Sequence, residues 1–161
     1  MTAREDFTDE EWFRVRAAPW QVVTGVIDAR PSGTLATGRE LRAAEAQIRR
    51  VHDEGSDHDV IGLVARAIVE DDDDTGTPPA DDPDADAVEP PQILAAMGPL
   101  RTLVDEKLSP AESEAFRTWL VDLATATAEA AREGVVGITG RQVSVEEADF
   151  LLGLRSRLGL D

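Results

Sequence analysis

Both histidines of the chain lie in one short run, His52-Asp53-Glu54-Gly55-Ser56-Asp57-His58-Asp59. Imidazole and carboxylate together suit zinc, manganese or iron. A closed site needs those donors to converge, whereas Gly55-Ser56 is the chemistry of a turn between two helices, a glycine stop followed by an acid-rich cap. Asp71 to Asp74 offer oxygen ligands of the kind Ca²⁺ takes, but the glycine-containing twelve-residue loop with its closing glutamate is absent. Gly134 to Gly140, followed by Arg141, has backbone amides that could cradle a phosphate before a helix. No strand precedes it, no lysine accompanies it, and its spacing is that of neither a P-loop nor a dinucleotide fingerprint. An irregular helix–helix loop is the simpler reading.

Catalysis has no clear author in this chain. His52 and His58 could act as bases only from a cleft. There is no H-E-x-x-H and no G-x-S-x-G. The chain has no cysteine, which removes disulfides and thiolate chemistry. The expectation is a non-enzymatic protein without a resident cofactor. An enzyme on a helical scaffold would need a histidine in a deep pocket beside a carboxylate of shifted pKa.

The stronger binding signal is cationic. Arg39, Arg42, Arg49 and Arg50 share one segment, diluted by Glu40, Glu45, Asp53 and Glu54. They offer a surface for an unidentified protein partner or an acidic ligand, or an ordinary charged helix face. Among the aromatics, Trp12 precedes Phe13, and both cannot point inward from one narrow stripe. Trp12 and Trp20 are therefore the candidate contact aromatics, since tryptophan often anchors interfaces. Burial against another hairpin is the alternative for these and for Trp119.

Net charge is −17, and Glu70–Pro91 holds ten of the 33 acids with no base, leaving −7 for the rest. That balance repels phosphate, so nucleic acid is not an expected partner. The acidic segment could instead compete with an acidic ligand for the arginine surface. One lysine, Lys107, stands beside fifteen arginines. With abundant Asp, Ala and Val, this is a halophile-like composition, also found in proteins of GC-rich bacteria. No apolar run approaches the ~20 residues that span a bilayer, and the acidic start does not look like a secretory signal. A cytoplasmic protein without membrane insertion is expected.

The elements that must position these groups are helical. Four starts read S/T-x-x-E: Thr8 to Glu11, Thr37 to Glu40, Ser109 to Glu112 and Ser144 to Glu147. In a capping box the hydroxyl accepts the N3 amide, and the glutamate accepts the cap amide. Pro110 suits the first helical position. Apolar stripes at helical spacing follow the caps. They comprise Leu41, Ala44, Ile48 and Val51, then Phe116, Leu120, Leu123, Ala124, Thr127 and Ala131, then Ala148, Leu151, Leu152 and Leu158. The segment after Thr8 is apolar to about Ala29, with a kink or break predicted at Pro19.

Ser56 or Asp57 would cap a helix burying Val60, Ile61, Val64 and Ile68. Pro91 would open another burying Ile93, Met97, Leu100, Val104 and Leu108, kinked at Pro99. Gly55 and Gly134 are placed as helix stops. Aromatics are only 4% of the chain, so the core must be built from small aliphatics. The fold class is all-α, a bundle of about six helices in a single domain over 1–161. Asp71–Pro91 is too polar and proline-rich to pack and reads as a mobile acidic loop within it. The caps at Thr8 and Thr37, and at Ser109 and Ser144, suggest two repeated hairpins. Gly33 and Gly140 each lie seven residues before the glutamate of the following box.

The stretches APWQVVTGVIDARPSGTLATGRELRAAE and FRTWLVDLATATAEAAREGVVGITGRQVSVEEADFLLGLRSRLG resemble an uncharacterised group of all-helical prokaryotic proteins with two such ends around a variable middle. More loosely, each half is similar to the tellurite-resistance TerB-like helical module. Asp28, Gly33 and Glu40 match its turn in the first half, and Gly140 and Glu147 in the second, where Glu133 stands for the aspartate. The resemblance covers about 90 residues and implies a stress-linked role near membranes with a divalent cation. The cation ligands it suggests, with the histidine run, are Asp28, Glu40, His52, Asp57 and His58. Capping alone also accounts for Glu40 and Glu147.

Overall fold

The computed structural model describes residues 2–29, 34–54, 59–75, 88–133 and 144–160. A 3-10 turn at Arg4–Asp6 precedes six helices: α1 (Asp9–Ala29), α2 (Thr34–Glu54), α3 (Val60–Thr75), α4 (Pro90–Lys107), α5 (Pro110–Glu133) and α6 (Val145–Leu158). No strand occurs among the described residues.

Three of the four capping boxes form. The Thr8 amide donates to Glu11 Oε2 at 2.8 Å, and the Glu11 amide to Thr8 Oγ1 at 3.2 Å. Ser109 and Glu112 exchange the same bonds at 3.3 and 3.4 Å, and Ser144 and Glu147 at 2.8 and 3.1 Å. Each closes two amides that the first helical turn leaves without partners. The fourth expectation is corrected. Helix α2 opens a turn earlier, at Thr34, so Thr37 lies inside it and Glu40 cannot serve as the N3 residue. Instead Glu40 lies on the buried face with Ala44 and Ile48.

Asp59 caps α3, with its carboxylate accepting the Gly62 amide at 2.8 Å. The Ser56 and Asp57 caps, the loop glycines Gly33, Gly55, Gly134 and Gly140, and Glu133's side chain lie outside the described residues. Helix α3 extends through Asp71–Thr75, and α4 already includes Pro90 and Pro91, so both ends of the expected acidic loop are helical. Neither Pro19 nor Pro99 breaks its helix. Proline removes one intrahelical bond, and flanking buried contacts keep α1 helical across it.

At the core α1 packs against α5. Val15, Ala18, Pro19, Val22, Val23 and Val26 are buried on α1, and a shift of 101 residues lands on six buried residues of α5: Phe116, Trp119, Leu120, Leu123, Ala124 and Thr127. The same shift superposes the caps Thr8 and Ser109, and the buried residues before them, Phe7 and Leu108. Phe7 packs on Trp12, with ring centroids 5.9 Å apart, as the staple that fixes the entry to α1.

Around this pair, α2 lies on α5 and α6 on α1, α3 packs beside α2 and α4 beside α6. Exchanging α1 with α5, α2 with α6 and α3 with α4 leaves the set of packed pairs unchanged. The repeat expected for the hairpins therefore extends to the whole helical plan. On α4, Ile93, Met97, Leu100, Val104 and Leu108 all face inward as the spacing predicts. Trp119 is buried with no hydrogen-bond partner for Nε1 among the described residues.

Helix α6 corrects its predicted stripe. Phe150, Leu154 and Leu158 are buried, whereas Leu152 is 65% exposed. The helix wedges between α1 and α4, so its contacts fall on a different arc. Phe150 fills the space over Gly25, where an added Cβ would lie 2.2 Å from the ring's Cζ. Gly159 ends the helix in the left-handed region at φ 68°, as a C′ glycine does.

The N-terminal segment is clipped to the α4–α5 junction. Thr2 Oγ1 donates to Glu112 at 2.8 Å, and Lys107 Nζ lies 2.9 Å from Glu11 and donates to the Asp6 carbonyl at 3.3 Å. The Thr8 amide and the Lys107 ammonium hold Glu11 below the ordinary glutamate pKa. The Ser109 and Thr2 hydroxyls do the same for Glu112.

Replacing Gly25 by alanine is expected to lower unfolding free energy by about 1–2 kcal/mol, because crowding the buried ring outweighs alanine's better helix propensity. Urea melts of Gly25→Ala and of Gly25→Ala/Phe150→Leu test this, the second recovering part of the loss. The depressed glutamates make a second expectation. Their stabilisation is complete above the ordinary glutamate range and disappears as pH falls through the lower folded-state values. The double variant Glu11→Gln/Glu112→Gln should melt lower than the parent at pH 7, and the gap should close on acidification.

Candidate functional site

Of the residues proposed for a cation, the described pair Glu40 and His52 do not meet. Asp28 is exposed in the last turn of α1, Glu40 is 1% exposed in the second turn of α2, and His52 is half-buried in its last turn. Twelve residues of helix separate Glu40 from His52, about 18 Å along the axis, so one ion cannot bind both. His52 Nδ1 is instead 3.1 Å from Asp53 Oδ1. Asp57 and His58 lie outside the described residues. Among the described residues no group of three or more His, Asp or Glu side chains is arranged to hold a metal. Although Asp28 is exposed, partial desolvation by the protein around it raises its carboxyl above the ordinary pKa.

The arginines do share a face. At 100° per residue, Arg39, Arg42, Arg49 and Arg50 fall within about 100° of arc, and all four are exposed. The opposite side of α2 carries the buried Glu40, Ala44 and Ile48. Arg50 pairs with Glu54 at 3.0 Å. Among the described residues neither Arg39 nor Arg42 is in an ion pair. Ala46 stands among the arginines, and Gly38 at the edge of their arc. An added Cβ at Gly38 would meet nothing within 4 Å.

The tryptophans are placed less simply. Trp12 is half-buried between Phe7 and the Arg4 guanidinium, which sits 5.3 Å from its ring centroid. Trp20 is half-buried against the core. The aromatic left in solvent is Phe13, 64% exposed. Two more large apolar side chains, Val145 and Leu152, are 72% and 65% exposed on α6. Sequence spacing assigned Leu152 to the core and so missed this face. The signal that could have found it is Phe150 and Leu154, which define a better buried arc with Leu158.

An open groove of about 600 Å³ lies between α4 and α6, lined by Arg101, Asp105, Glu106 and Arg157 among others. Arg101 lies 3.5 Å from Asp105 and packs against Gly159. Arg117, reaching Asp105 at 3.7 Å, donates to the Leu158 carbonyl at 2.6 Å. These bonds tie α4 and α5 to the end of α6. His52 is not among the residues lining this groove. No helix of the described residues is long and apolar enough to cross a membrane. No protein-family model, curated protein or solved structure matches the chain.

Asp28 provides a check on its own role. A carboxyl with a raised folded-state pKa opposes folding once it ionises, and the penalty is absent at low pH. Asp28→Asn is expected to raise the melting temperature at pH 7, the gain vanishing as pH drops below the ordinary aspartate range. A lower melting temperature at neutral pH would show that the carboxylate is a stabilising ligand or partner instead.

Proposed function

We propose that this chain is a non-catalytic docking module that receives an acidic protein surface along α2. The observation that carries the reading is the arginine face itself: Arg39, Arg42, Arg49 and Arg50 in solvent, opposite the side of the helix that builds the core. Guanidinium groups are planar, weakly hydrated and able to grip carboxylates with two parallel bonds. A helix fixed by its buried side presents them at set spacing without ordering a loop. The overall charge of −17 repels long polyanions, which favours a partner whose acids are local and matched to the face.

Affinity capture from the native host tests this, with the parent chain and with Arg39→Glu/Arg42→Glu as bait. Both substitutions are on the solvent side, so helicity and melting temperature should be retained. The partner captured by the parent should bind the variant about tenfold more weakly, and its contact surface should be acidic. Identical capture by both baits would overturn the reading.

A further inference from the structure

We infer that the acidic surface received by α2 is the outer face of α6 on a second copy of this chain. This rests on the reading of α2 as a docking face and names its occupant. The internal repeat supplies the first observation. Thr37 corresponds to Ser144 and the buried Glu40 to the buried Glu147, so Arg39 and Arg42 on α2 correspond to Glu146 and Asp149 on α6. All four are exposed. One half of the molecule presents two cations three residues apart, and the other presents two anions at the same spacing.

The second observation is apolar. Val145 and Leu152 flank the two acids on the α6 face and are the most exposed large hydrophobics of that helix. They stand seven residues apart, about 10.5 Å along the axis. On α2 two small residues, Ala46 within the arginine arc and Gly38 at its edge, lie about 12 Å apart, and the space beside Gly38 is open. Two apolar side chains in solvent on α6 are offered to a face of α2 that carries small residues among its arginines.

Charge also sets the direction of crossing. Run parallel, Arg157 of α6 would face Arg49 and Arg50. Run antiparallel, Arg39 faces Asp149, Arg42 faces Glu146, and Arg157 passes beyond the start of α2. The acids Glu45 and Asp53 border the stripe without lying opposite Glu146 or Asp149 in this arrangement. The net charge of each copy does not forbid contact, since at physiological salt charges beyond about 8 Å are screened. Because the two faces differ, the contact runs head to tail, giving a ring if the rotation closes and an open filament if it does not, unless two copies exchange both faces about a twofold axis.

Sedimentation velocity and light scattering across a concentration series, at about 150 mM salt, read the association directly. The parent chain should self-associate. Arg39→Glu and Asp149→Arg should each weaken it about tenfold, and the two together should restore it. Leu152→Ser, at an exposed position, should weaken it while leaving the melting temperature unchanged. A parent chain that stays monomeric, or reversals that leave association untouched, would overturn the inference. If the chain is monomeric yet host capture still depends on Arg39 and Arg42, the docking face stands and only its occupant falls.

Discussion

The contact of α1 with α5 is the constraint on which the other four helices depend. Each presents a stripe of buried residues at equivalent positions. Small aliphatics dominate on α1, while Phe116 and Trp119 supply bulk on α5. With so few aromatics in the chain, close approach of backbones must replace large side chains in filling the interior. Gly25 is a direct sign of this, with the ring of Phe150 occupying the volume a side chain would take. The remaining helices attach to this pair in an order that respects the exchange of halves, so the outer surfaces are also arranged in corresponding pairs.

That correspondence holds for buried residues and fails for exposed ones. Burial conserves type because water exclusion rewards only apolar or fully bonded groups. Solvent imposes no such rule, and the outer faces of α2 and α6 are free to differ in sign. Glu147 shows how a charge joins the buried set, accepting the Ser144 amide within its capping box. Other carboxylates that fix the fold are at helix starts or at the seam with the N-terminal segment, where amides, hydroxyls and Lys107 answer them, and Asp105 near the end of α4 is answered by Arg101 and Arg117.

The helical plan was largely legible because its signals are local. A hydroxyl followed three residues later by glutamate needs no tertiary information, and the stripe of α4 could be read residue by residue. Thr37 shows the limit: the same four-residue pattern also occurs inside a helix, and nothing local distinguishes the two. In α6 the spacing of leucines permits two arcs, and the neighbours α1 and α4 select the one through Phe150. The arginine face was legible because all its members lie on one helix. The α6 face was not, because finding it required knowing which leucine the neighbours leave outside. The cation set joined residues by type, and helix length separates Glu40 from His52.

Trp119 gives the molecule a property of another kind. Its indole is sealed in the interior with an N–H that finds no acceptor among the described residues, while Trp12 and Trp20 remain in partial contact with solvent. The three fluorophores therefore sit in environments of graded polarity. Trp119 should dominate the short-wavelength edge of the emission, and the other two the red edge. The intrinsic spectrum thus separates events at the α1 surface from loosening of the interior, without an added label.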